Sequence, residues 1–190
     1  MFMDRTAIAV IGILAASLSL SACSAGGTDA GGESPPATSA ESFNDQDLTF
    51  AQAMIQHHDQ AITMAQIILD KNGIDPKVID LAEQIQAAQG PEIDQMQSWL
   101  TSWGAPAGGM GHGMDGMMSD DDMAALKTST GVEAGRLFLQ QMIQHHRGAI
   151  AMAQMELDDG RNPDATALAQ KIVDAQSTEI DLMEELLSAP

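Results

Sequence analysis

One cysteine, no tyrosine, and only 8 Lys and Arg against 27 Asp and Glu set the first limits on this 190-residue chain. A lone thiol, Cys23, has no partner for a disulfide within the monomer. The formal charge of −19 denies nucleic acid or an anionic lipid surface the basic patch each would need, so no nucleic-acid partner is expected. No stretch alternates apolar and polar residues as a half-buried strand does. A Gly-rich phosphate loop is absent, and so is a nucleophile accompanied by a base and an orienting acid.

The apolar run from Ala7 to Leu20 follows a weakly basic start and is too short to span a bilayer as a stable helix. It reads as the core of a signal peptide over residues 1–22. "LSAC" at Leu20–Cys23 resembles the lipobox of bacterial lipoproteins, which predicts Cys23 as the lipidated first residue of the mature chain. Export follows, with the protein held at the outer face of the cytoplasmic membrane or in the periplasm or cell envelope. Residues 23–43, rich in Gly, Ser, Pro and Ala, cannot bury a core and read as a tether.

What the rest of the chain has is repetition. Phe50–Asp70 and Phe138–Asp158 agree at 14 of 21 positions, and both carry the phrase "MIQHH" followed by "MAQ". Downstream, "DPKVIDLAEQIQAAQGPEIDQM" from Asp75 pairs with "NPDATALAQKIVDAQSTEIDLM" from Asn162. The folded region, 44–190, is therefore an internal duplication: repeat one over 44–103, a connection over 104–129 and repeat two over 130–190.

Each copy has the apolar period of two helices, predicting an all-α four-helix bundle built from two duplicated hairpins. The first helix starts near Asn44 or Asp45 and is stopped by Gly73. Asp75–Pro76 and Asn162–Pro163 are cap-plus-proline starts for the second helix of each copy. Thr130 with Glu133 resembles a capping box, and Pro91, inside the second helix, predicts a kink or break.

At 100° per residue, Met54, His58, Ala61 and Ala65 share the centre of one helical face, with His57 and Met64 on its shoulder. Burying four imidazoles at equivalent places requires a partner for every ring nitrogen, which favours a metal role over simple packing. Glu92 with Met96, and Glu179 with Met183, share faces of the partner helices, and either glutamate can hold a histidine tautomer. Di-iron bundles place a carboxylate three residues before the histidine, whereas here Met54 precedes His57 and Met142 precedes His145. A thioether there disfavours iron and zinc and favours Cu(I) or Ag(I). The connection adds Met110, His112, Met114, Met117, Met118 and Met123 in a Gly-rich stretch that has no core to fill, again suiting a soft ion.

These duplicated phrases resemble the bacterial family called domain of unknown function 305, which includes CopM-type periplasmic copper-binding proteins. The resemblance spans roughly residues 45–187. It implies a ferritin-like bundle, exported, with candidate metal ligands Met54, His57, His58, Met64, Met142, His145, His146 and Met152, joined by Met96 and Met183. The resulting expectation is an envelope lipoprotein that sequesters or transfers Cu(I), contributes to copper tolerance and exchanges metal with a copper-handling protein partner. The alternatives are a metal-dependent oxidase, a haem-binding bundle with Met and His as axial ligands, and a non-catalytic envelope interaction protein.

Overall fold

The computed structural model describes residues 43–108 and 115–189. The expected signal segment, Cys23, nearly all of the tether, and Met110, His112 and Met114 lie outside the described residues. Five helices follow in order: α1 (Asp45–Leu69), α2 (Pro76–Ser102), α3 (Asp120–Thr128), α4 (Gly131–Asp159) and α5 (Pro163–Ser188). Among the described residues there is no strand, and no helix is long and apolar enough to cross a membrane.

Helices α1 and α2 form one hairpin and α4 and α5 the other, and the hairpins join mainly through α1 against α4, giving the expected four-helix bundle. The starts are fixed by side chains written into the sequence. Asn44 accepts from the amides of Gln46 and Asp47, and the Asp47 carboxylate accepts the Asn44 N–H at 2.6 Å. Asp75 and Asn162 cap α2 and α5, each with proline in the first turn. After α1 ends at Leu69, Gly73 takes φ +75° in the turn, a left-handed conformation that glycine tolerates best.

Three expectations change. Helix α2 runs unbroken through Pro91. Gly90 has no β-carbon for the proline ring to crowd, and the carbonyl that loses its partner belongs to Ala87, an exposed residue whose oxygen water can reach. Thr130 makes no capping hydrogen bond, because Gly131 enters α4 with φ +56° and the hydroxyl is not aimed at the third amide. Finally, the connection is only partly a loop. Ser119 and Asp122 close a capping box for α3, three aspartates favour its N-terminal dipole, and Lys71 Nζ donates to the carbonyls of Lys127 and Ser129 at its far end. Helix α3 buries Leu126 completely, so this part of the connection does have a core to fill.

The bundle core is cut in two. One apolar cluster holds Ala61–Ile68 positions of α1, Leu81 and Ile85 of α2, Phe138 and Met142 of α4 and Met183 of α5, with Met118 and Leu126 from the connection. The other holds Phe50 and Met54 of α1, Met96 and Leu100 of α2, Met152 of α4, and Leu168 and Ile172 of α5. On each of the four bundle helices a buried polar residue falls between the two: His57 and His58 on α1, Gln89 on α2, His145 and His146 on α4, Gln176 on α5. A polar layer thus crosses the bundle near mid-height.

Candidate metal centre

All four histidines of the repeated phrase have no solvent exposure. The duplication places His57 and His145 opposite one another across α1 and α4, with ring centroids 3.7 Å apart and planes tilted by 41°. Burial pushes the His57 imidazole down to about 3, helped by the nearby His58 and His146 rings. Burial also holds His145 well below the usual histidine range, with His57, His146 and His58 adding to it. Both rings are therefore neutral at physiological pH, and each presents a nitrogen lone pair.

The other two histidines are oriented by carboxylates. His58 Nε2 lies 2.7 Å from Glu92 Oε2, and His146 Nε2 lies 2.5 Å from Glu179 Oε2, in α2 and α5 respectively. A carboxylate accepts, so in each ring Nε2 donates to the glutamate and Nδ1 is the atom left for another partner. Both Nδ1 atoms are buried without a partner, as are both ring nitrogens of His57 and of His145. The carbonyl of Asp115 approaches His57, and that of His57 approaches His145. Each raises the ring's basicity slightly without completing a hydrogen bond. Six imidazole nitrogens thus sit buried without a protein partner in one layer, where each lost hydrogen bond costs about 1–3 kcal/mol.

Thioethers flank this layer on both sides. Met54, Met96 and Met152 belong to one apolar cluster, and Met64, Met142 and Met183 to the other, so each side draws one methionine from α1, one from α4 and one from α2 or α5. All six are buried. Among the described residues no three His, Cys, Asp or Glu side chains converge to hold a metal, whereas buried thioethers stand on both sides of the histidines. The only carboxylates in the layer, Glu92 and Glu179, are already engaged by histidines. Neutral imidazole with thioether is a donor set for a soft ion rather than for iron, zinc or magnesium.

In the connection, Met118 is buried in the cluster that holds Met64, Met142 and Met183. Its backbone is clamped by Gln60, which accepts from Met118 N at 2.7 Å and donates to Met118 O at 2.9 Å. Met117 is half-buried, and Met123 packs against the same cluster.

Two features escaped the sequence reading. Gln89 and Gln176 are buried with unpaired Oε1 atoms, and their signal was the "AQ" that stands three residues before the glutamate in both copies. The second is a pair of fully buried acids, Asp47 on α1 and Glu156 on α4. Burial acts to raise Asp47, but the N–H groups of Asn162, Asn44 and Arg161 and the neighbouring Glu156 carboxyl bring it below its ordinary value. Burial pushes Glu156 up to about 8, with the Asp47 side chain adding to the rise. Glu156 therefore keeps its proton near neutral pH, because two such neighbours could not both be ionised in a buried place.

The family model described as domain of unknown function (DUF305) matches residues 47–187. No functionally curated protein matches the sequence. Among solved structures, a DUF305 fragment from Deinococcus radiodurans is 38% identical, with a TM-score of 0.71 over 76% of this chain and 97% of its own. A DUF305 protein of Streptomyces coelicolor is 35% identical, with a TM-score of 0.71 over 75% of this chain and 92% of its own. CopM in its Cu(I)-bound form is 32% identical, with a TM-score of 0.64 over 74% of this chain and 94% of its own, and CopM has also been solved with Cu(II) and with silver. With the family model covering nearly the whole bundle and each of these structures above 30% identity, the chain belongs to the DUF305 family.

Proposed function

We propose that this protein is an exported, lipid-anchored carrier of soft metal, which sequesters or hands on Cu(I) through methionine and histidine and so contributes to copper tolerance. The observation that carries the reading is the buried layer of unpaired imidazole nitrogens between two trios of thioethers. Such a layer destabilises an empty bundle and is relieved by an ion that the nitrogens and sulfurs can bind. Similarity to CopM, solved with Cu(I), Cu(II) and silver, supports the same class of cargo. The donors are Met54, His57, His58, Met64, Met96, Met142, His145, His146, Met152 and Met183, supplemented from the connection by Met110, His112, Met114, Met117 and Met118. The signal-like run before Cys23 supports a site outside the cytoplasm, where thioethers are better suited than readily oxidised thiolates.

The test is an anaerobic Cu(I) titration against a calibrated chelator, using the mature protein beside a variant with His57, His58, His145 and His146 all replaced by leucine. Binding that is tight in the first and lost in the second supports the reading. Equal binding by both would move the cargo to the connection and return the histidines to packing.

A further inference from the structure

Helices α1 and α4 run antiparallel, so the duplication creates two equivalent grooves along their contact, one toward each end of the bundle. The two are treated differently. Toward the α4 N-terminus, the groove beside Phe138 and Met64 is covered by the connection. Met118 and Leu126 join the cluster there, and Gln141 Nε2 donates to Asp122 O at 3.0 Å. Toward the α1 N-terminus, the matching groove is not covered by any of the described residues and forms a cavity of about 240 Å³ lined by Thr49, Phe50, Ala53, Asp115, Met152 and Met155.

The open groove has a sulfur at its rim and another in its wall. Met155 is 52% exposed, whereas Met152, three residues earlier and on the same side of α4, is 8% exposed. The position equivalent to Met155 in the first copy is Ile67, so a surface thioether stands at this groove and has no counterpart at the covered one. An exposed methionine gains little for a monomeric fold, but it gives a soft cation a first ligand one turn above a buried one. Asp115 contributes to the lining while its carbonyl approaches His57, so the groove wall reaches the polar layer itself.

We propose that this groove is the port by which a soft monovalent cation reaches the buried layer, with Met155 as the receiving thioether at the surface. The proposal rests on the carrier reading above, and its test separates the two. Cu(I) is presented to the protein as a complex with a chromogenic chelator, and the rate of transfer is followed by stopped flow alongside the final stoichiometry. Two variants are used, Met155→Leu, which keeps the volume and removes the sulfur, and Ala53→Phe, which fills the groove, each checked for unchanged helicity. Loading is expected to slow by about tenfold in both, with Ala53→Phe reaching the wild-type stoichiometry in the end. Wild-type loading rates in both variants would overturn the port while leaving the carrier reading intact. Absence of Cu(I) uptake by the unmodified protein would overturn both.

Discussion

The carbonyl oxygen of Asp115 lies where a β-carbon on residue 148 would have to be, and the Cα of Gly116 crowds the same point. Gly148 is thus the seat on which the connection rests as it crosses α4. Its counterpart in the first copy is Gln60, which holds Met118 with both ends of its amide. Equivalent positions grip the same segment by opposite means, one through a missing side chain and one through a hydrogen-bonding side chain. Gly148→Ala is expected to displace Asp115 and Gly116 and to lower stability by about 1–3 kcal/mol, the usual size of an overpacking penalty. Urea denaturation monitored by circular dichroism reads this directly, and an unchanged midpoint would mean that the connection is not seated on α4.

Replacing both His57 and His145 with leucine removes four of the unpaired buried nitrogens. The metal-free protein is expected to become more stable by about 1–3 kcal/mol while losing its hold on Cu(I). A fall in stability would instead mark the pair as a structural element of the core.

Glu92 and Glu179 accept from Nε2 of His58 and His146, so on the carrier reading Nδ1 is the atom that would meet the ion. Glu92→Gln and Glu179→Gln preserve shape but weaken that orientation. Each is expected to cost about 10–100-fold in Cu(I) affinity, with little change in helical content. Chelator competition at fixed pH measures it, and unaltered affinity in both would show that the tautomer is set elsewhere.

Glu156 gives the fold a pH dependence of determinate sign. The folded protein keeps this proton until about pH 8, whereas the unfolded chain releases it near the ordinary value of 4.5. Between those values the unfolded state binds fewer protons, so stability falls as pH rises. Asp47, lowered in the fold, acts oppositely and loses its contribution only in acid, below its ordinary 3.8. Glu156→Gln should flatten the decline and stabilise the protein at pH 8 by about 1–3 kcal/mol, since the amide can donate to Asp47 without an ionisation cost. Urea midpoints compared at pH 5.5 and pH 8.5 test the difference in slope, and parallel curves for the two proteins would rule it out.

Much of the bundle was legible because its signals are periodic and stated twice. The face through Met54, His58, Ala61 and Ala65 is the buried face, and the caps at Asn44, Asp75 and Asn162 form as the residues suggest. Helix α3 was harder to see, because nine residues hold too few turns for a period and its stability depends on Leu126 reaching a core assembled from other helices. No break forms at Pro91, because the cost of an interior proline depends on what precedes it and on whether water reaches the orphaned carbonyl. The Asp47–Glu156 pair had no repeat to announce it, since its counterparts are Gly135 and Ile68. Its one trace was a glutamate on the apolar arc of α4, one turn beyond Met152.

The division of the core also makes the two hairpins depend on one another. Neither apolar cluster belongs to one hairpin, since each takes the first half of one pairing helix and the second half of the other. Either hairpin alone would leave half of each cluster facing water, so the burial that holds α1 against α2 is completed only when α4 and α5 are in place.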